Sequence, residues 1–154
     1  MEHIEELFDV DPISWIETLQ PYQKNTIIKL YNTNGSYEET AKAWLNASLS
    51  TTVPFGTEKG QSVFFDKILD ELEAFLSGDE KYKNERIAIL QEKSVVQTYI
   101  VGAISVSLSS KLGASAAFLA PVIAIIFVTI TKMGINAWLA MRREKRATTE
   151  ESTK

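Results

Sequence analysis

Few side chains in this sequence have the types and spacing that catalysis requires. The chain has no cysteine and a single histidine, His3, so thiol chemistry is excluded and a histidine base or histidine metal site is not expected. Asp70, Glu71 and Glu73 fall on a strongly amphipathic segment, where a solvated helix face explains them. Phosphate-binding glycine motifs and the GxSxG motif are absent. We therefore predict no catalytic residue, no metal site, no cofactor and no enzyme activity.

Small and polar residues recur at helical spacing in the apolar C-terminal part of the chain. Their spacings of three and four residues place them on one side of a helix. Small residues let helices approach closely in lipid, and an ionisable group inside a membrane helix is costly and is therefore a functional candidate. The candidate pore or helix-contact residues form a first stripe of Thr98, Gly102, Ser105 and Ser109 and a second stripe of Thr129, Lys132 and Asn136.

Each stripe leaves two interpretations open. The first stripe is typical of a seam against a second helix in the same chain, and it is also compatible with the lining of a wet pore in an oligomer. Lys132 contacts a pore or a partner if it lies within the membrane. If the span ends near Thr131, its ammonium group instead extends to the interface.

The element that must position these stripes is a predicted transmembrane hairpin, residues 94–141, with only two charged side chains, Lys111 and Lys132. Val95–Ser110 would be roughly 24 Å long as a helix, slightly short of a ~30 Å hydrocarbon core. Lys111 to Gly113 predicts a turn, and Ala114–Thr131 is uncharged. A single span is the alternative topology.

Basic residues flank the predicted hairpin on both sides, namely Lys93 before it and Arg142, Arg143, Lys145 and Arg146 after it. Lys and Arg concentrate on the cytoplasmic side of membrane helices. We therefore expect a multi-pass protein of the cell inner (plasma) membrane with both termini in the cytoplasm. Residues 142–154 are predicted to be a basic flank followed by a disordered tail.

Residues 1–93 predict an acidic cytosolic domain made of short helices. Together with the helical hairpin, this domain makes the whole chain all-α in expectation. This part has 17 acidic and 9 basic residues, which argues against nucleic-acid binding. Capping signals predict short helices from Asp11, Pro21 and Ser36, and an amphipathic helix from Gln61 to Gly78. Asn46–Gly60 predicts a long loop. The stretch from Glu80 to Val101 contains no proline or glycine and predicts one long helix that enters the membrane.

Trp15 and Trp44 are candidate residues for binding a cytosolic regulatory partner. Trp44 follows Tyr37 at helical spacing, so the alternative is that both belong to the core of a small helical bundle.

An acidic helical domain joined by a helix to a Ser-, Ala- and Gly-rich hairpin, Ile100–Ala124, resembles the small two-span effectors of bacterial antiphage defence systems. The hairpin is also similar, more distantly, to that of the pore-forming colicins. The resemblance implies a homo-oligomeric ion channel or membrane-permeabilising effector, gated by its cytosolic domain and acting on a lipid bilayer. Two alternatives stay open: a membrane-anchored adaptor that recruits a cytosolic partner, and a hairpin that is buried within a soluble oligomer until it is released.

Overall fold

The structure is a computed structural model that describes residues 4–52, 58–91 and 96–152. All the regular elements in these residues are helices, which confirms the predicted all-α class. Three are short 3-10 helices: the first short helix Ile4–Phe8, the second Pro12–Thr18 and the third Glu80–Tyr82. The α-helices are α1 (Pro21–Asn34), α2 (Tyr37–Thr52), α3 (Glu58–Ser77), α4 (Lys83–Gln91), α5 (Gln97–Leu112), α6 (Ala116–Met133) and α7 (Ile135–Ser152).

The first helices begin and end where their capping residues predict. The Asp11 carboxylate accepts a hydrogen bond from the backbone N–H of Ile13 at the start of the second short helix. Gly35 ends α1 in the left-handed conformation, with φ 76°, which glycine adopts at little cost. The Ser36 hydroxyl then accepts from the N–H of Glu39, at 3.1 Å, at the start of α2.

Helix α6 lies at the centre of the fold. Every residue from 121 to 128 is buried. The helix packs against the second short helix, α5 and α2, and also contacts α1, α7 and the first short helix. A helix that is apolar on all sides has to be covered on all sides. The segment predicted to be the second membrane span is thus enclosed by residues of the same chain, including helices of the predicted cytosolic part.

The predicted long helix from Glu80 to Val101 is wrong. Helix α4 ends at Gln91, and α5 begins at Gln97 after Val96, which is extended with φ −104° and ψ 153°. A β-branched residue such as Val96 favours extended backbone. The break also allows α4 and α5 to pack against each other.

Two segments predicted to be irregular are helical instead. Helix α2 continues to Thr52 and α3 already begins at Glu58, so the described parts of the predicted loop Asn46–Gly60 are helical, and residues 53–57 lie outside the described residues. Helix α7 continues to Ser152, whereas a disordered tail was expected after the basic flank. Good helix formers in the tail, such as Arg146, Ala147 and Glu150, favour this continuation.

Candidate functional site

The candidate site is the hairpin formed by α5, the turn at Gly113 and α6. Gly113 ends α5 with φ 71°, and the Ser115 hydroxyl caps α6 by accepting from the N–H of Phe118 at 3.1 Å. The inner face of α5, including Ile104 and Leu108, is fully buried, and α5 packs along α6. In the described part of the chain, one helix, α6, is long and apolar enough to cross a membrane. The packed helices α5 and α6 form the predicted two-helix hairpin, but of these two helices only α6 is long and apolar enough to be a membrane span.

Three side chains from the N-terminal helices donate hydrogen bonds to α6, and we call Trp15, Gln23 and Trp44 the polar clamp. Trp15 Nε1 donates to Thr131 Oγ1 at 2.8 Å, near the C-terminal end of α6. Gln23 Nε2 and Trp44 Nε1 donate to the carbonyls of Ala117 and Phe118, at 2.9 and 3.0 Å. The clamp thus holds both ends of α6.

The Gln23 contact has a local cause in the sequence of α6. Pro121 lies inside the helix and has no N–H, so it cannot donate to the Ala117 carbonyl four residues earlier. Ala117 itself is exposed, but its hydrogen bond is part-buried, so without a protein donor the carbonyl would depend on water. Gln23, itself 3% exposed, supplies the donor. A proline in an apolar helix is the sequence signal that could have pointed to such a partner, but nothing in the sequence indicates which residue it is.

An aromatic cluster covers the middle of α6. Phe127 meets Phe8 and Trp15 edge-on, with ring centroids 5.1 and 4.9 Å apart. Such geometry adds about 0.5–1.5 kcal/mol per pair beyond area burial. The first and second short helices thereby form a lid over α6.

Neither tryptophan of the clamp is available to a partner in this conformation. Trp15 is fully buried and Trp44 is 8% exposed, which confirms the core interpretation of Trp44. A partner could reach either ring only after the helices around α6 separate.

The first stripe lies largely on the outside of the bundle. Thr98 and Gly102 are exposed, and a methyl group added at Gly102 would meet no atom within 4 Å. Ser109 is half-buried, and Ser105 is buried with its hydroxyl donated to the Val101 carbonyl of its own helix, at 2.7 Å. Gly102 therefore makes no close helix contact here, and the seam interpretation does not apply to it in this fold.

The second stripe is divided between two helices. Gly134, with φ 92°, separates α6 from α7, so Asn136 lies on α7 and not in line with the other two residues. Thr129 is half-buried, whereas Asn136 and Lys132 are exposed. Lys132 Nζ lies 5.0 Å from the centroid of the Tyr37 ring, which is a cation–π contact. Lys132 is in the last turn of α6, where a positive charge also interacts favourably with the helix dipole.

The basic flank contains a buried residue. Arg142 is 7% exposed, and its guanidinium pairs with Glu73 (Nε to Oε1, 3.2 Å) and Asp70, both on α3. Arg142 thus joins α7 to α3 and does not extend towards a membrane surface in this conformation. Arg143 and Lys145 are exposed, whereas Lys93 and the side chain of Arg146 lie outside the described residues.

Comparison with protein-family models, with curated proteins and with solved structures found no match. The site has to be interpreted from its own geometry.

The polar groups and the cavity near α6 and α7 describe the interior of this site. Within the described residues, no group of three or more His, Asp or Glu side chains is placed to hold a metal ion. No buried side-chain nitrogen or oxygen of the described residues lacks a hydrogen-bond partner. A cavity of about 70 Å³ beside Arg142 is lined mainly by apolar residues such as Phe65, Leu69 and Trp138. The interior of the described residues is therefore mainly apolar, and its buried polar side-chain atoms are hydrogen-bonded.

A second polar contact anchors the end of α3, and it allows a test of the fold. The Tyr82 hydroxyl is donated to Glu71 at 2.6 Å, and burial together with this hydrogen bond raises the pKa of Tyr82 above its usual value of 10.0. Because the folded state favours the neutral phenol, its stabilising contribution is complete below pH ~10 and is lost as the pH rises above that value.

We expect Tyr82→Phe to lower the free energy of unfolding by about 1 kcal/mol at pH 7, because one hydrogen bond is lost. Above pH ~10 the unfolded wild-type phenol ionises, so the difference between the two proteins should shrink. Urea unfolding at pH 7 and pH 11 measures both values. A difference that stays constant or grows with pH would contradict the assignment. Tyr22→Phe, at a 64% exposed tyrosine, is the control.

Proposed function

We propose that this protein is a non-enzymatic, membrane-active effector that stores its hydrophobic hairpin inside its own helical bundle and permeabilises a bilayer after release. The observation that carries the proposal is the character of α6: it has 18 residues, is apolar enough to span a membrane, and is enclosed by the other helices of the chain. A helix of this length is ~27 Å long, close to the ~30 Å hydrocarbon thickness.

The chemistry of the hairpin supports insertion. No acidic residue occurs between Ser94 and Arg143, and within α5 and α6 the charged side chains are Lys111 and Lys132. Both lie in the last turn of their helices. Long basic side chains at helix ends reach the headgroup level while their stems stay in the apolar layer.

The polar clamp supports storage and suggests where release begins. The clamp and the lid both come from residues before α3, and they hold α6 through a small number of side chains. Weakening one of them should favour the open state without changing the sequence of the hairpin. Oligomerisation in the membrane, which a channel requires, is part of the proposal.

The test uses Trp15→Ala, which removes one clamp residue and leaves α5 and α6 unchanged. We expect this variant to release dye from vesicles of phosphatidylglycerol and phosphatidylcholine at least ~10-fold faster than the wild type, because a 1.4 kcal/mol shift towards the open state already changes its population tenfold. Expression of the variant in bacterial cells should also depolarise them.

Two control variants separate insertion from general adhesion. Tyr22→Ala removes a 64% exposed aromatic residue of α1 and should leave dye release unchanged. Trp15→Ala combined with Ile126→Asp opens the bundle but places a carboxylate in the middle of α6, at a cost of about 2.5–3.5 kcal/mol for insertion, so dye release should be lost. If Trp15→Ala is destabilised yet releases no dye, or if the double variant releases dye equally well, the proposal fails.

A further inference from the structure

We propose that the outer face of α5 is the surface by which the closed protein first binds an anionic lipid bilayer. This inference rests on the proposed function, since it names the surface through which the stored hairpin reaches the membrane. The outer face consists of Val96, Thr98, Tyr99, Gly102, Val106 and Ser110, all of which are exposed.

The outer face presents three apolar side chains to solvent. Val96 is 60% exposed, Tyr99 41% and Val106 62%. The opposite face of the same helix, with Ile104 and Leu108, is fully buried against its neighbours. Apolar side chains are thus presented on both sides of α5, although only one side is covered.

Charge favours a lipid surface as the occupant. Up to Glu92 the sequence has 17 acidic and 8 basic residues, whereas none is acidic from Lys93 to Arg143. Of the basic residues described in this second stretch, Lys111, Lys132 and Arg143 are exposed, and Arg142 is paired with Asp70 and Glu73. An anionic leaflet repels carboxylates and attracts lysine and arginine. The outer face carries no charge, and Lys111, exposed at the end of α5, is placed to meet a lipid phosphate.

The size of the outer face argues against a second copy of the chain. From Val96 to Ser110 the outer face is ~20 Å long and ~10 Å wide, or roughly 200 Å². Stable protein interfaces need about 800 Å² on each partner. A bilayer accepts a shallow strip of this kind, with a tyrosine at the level of the headgroups.

The outer face is also continuous with the hairpin that the proposed function places in the membrane. Helix α5 separates it from α6 by the thickness of one helix, because the two helices pack together. Near its N-terminal end, Gln97 Nε2 donates to the Ser14 hydroxyl of the second short helix, which also carries Trp15 of the clamp. Binding through the outer face of α5 therefore brings α6, and the two short helices that cover it, close to the lipid surface.

The test compares Val106→Asp with Ile28→Asp, in which an exposed apolar residue of α1 is replaced; Ile28 is 44% exposed and Val106 62%. Both positions are exposed, so both variants should fold, which circular dichroism checks. In flotation with vesicles containing phosphatidylglycerol, we expect Val106→Asp to lower the bound fraction at least ~5-fold, through lost apolar contact and added repulsion. Ile28→Asp should stay within ~2-fold of the wild type.

A labelling experiment provides a second measurement. Because the chain has no cysteine, Val106→Cys gives a unique site for an environment-sensitive fluorophore, and Ile28→Cys gives the matched control. Emission should shift to shorter wavelength on anionic vesicles at position 106 and stay unchanged at position 28. Equal shifts at both positions would overturn the proposal, as would a dimer in sedimentation that Val106→Asp dissociates.

The proposed function and this docking surface can fail separately. Vesicle binding that depends on Val106, without dye release by Trp15→Ala, contradicts the proposed function and supports the docking surface. Dye release by Trp15→Ala that is unchanged when Val106→Asp is added, at protein concentrations below saturation, overturns the docking surface and supports the proposed function.

Discussion

Replacement of Trp15 by alanine should lower the free energy of unfolding by about 3–5 kcal/mol, the range for removing a large aromatic residue from a core. Trp15 has no exposed surface, packs its ring against Phe8 and Phe127, and donates its indole N–H to Thr131. The variant leaves a cavity beside α6 and removes one of the three donors of the polar clamp. Urea unfolding followed by circular dichroism measures the change.

Two substitutions divide this effect into its parts. Trp15→Phe keeps a ring over Phe127 but loses the hydrogen bond to Thr131, so we expect a smaller loss, about 1–3 kcal/mol. Tyr22→Ala, at the exposed aromatic residue of α1, should change the stability by less than about 0.5 kcal/mol. A loss below 1 kcal/mol for Trp15→Ala would mean that the lid does not hold α6.

Replacement of Arg142 by methionine should lower the free energy of unfolding by about 3 kcal/mol. The substitution keeps the volume but removes the guanidinium that pairs with Glu73, whose side chain is 8% exposed, and with Asp70. Removing one member of a buried ion pair is far more costly than replacing both members with apolar residues. Thermal or urea unfolding at neutral pH gives the value.

The double variant Arg142→Met with Glu73→Leu should regain most of this loss, because the desolvated carboxylate is removed as well. Arg143→Met is the matched control, since Arg143 is the exposed neighbour in the same helix and should change the stability by less than about 0.5 kcal/mol. If Arg142→Met and Arg143→Met have equal effects, α7 is not held to α3 by this ion pair.

The local features of the first helices could be predicted from the sequence because their causes are local. Asp11, Gly35 and Ser36 act on backbone groups within three or four residues, so capping and turn chemistry are enough to place them. The same is true of the turn at Gly113, which separates two apolar segments. The predicted all-α class rests on signals of this kind.

The placement of α6 could not be predicted in the same way. An apolar helix of 18 residues satisfies the requirements of a membrane span and of a fully enclosed core helix equally well, since both environments exclude water from every side. The decision depends on whether helices distant in the sequence cover it. Trp15 and Gln23 do so across more than 90 residues, and periodicity within a segment carries no information about such contacts.

The interruption before α5 and the ion pair of Arg142 have the same explanation. The preference of Val96 for extended backbone is too weak on its own to end a helix, but α4 and α5 pack against each other only if one straight helix does not run through both. The apolar residues before Arg142 predict that it flanks a membrane helix. Its ion-pair partners, Asp70 and Glu73, lie about 70 residues earlier in the chain, so no local pattern indicates them.

The proline in α6 makes the inserted state that we propose depend on a new hydrogen-bond donor. In the closed fold Gln23 donates to the Ala117 carbonyl that Pro121 leaves without a helical donor. Lipid tails have no donor, so after release this carbonyl has to lie among headgroups and water or accept from a side chain of a neighbouring helix. In the first arrangement the membrane-embedded part begins near Pro121 and is roughly 20 Å long, which requires local thinning of the lipid, whereas in the second the whole ~27 Å of α6 can enter the layer.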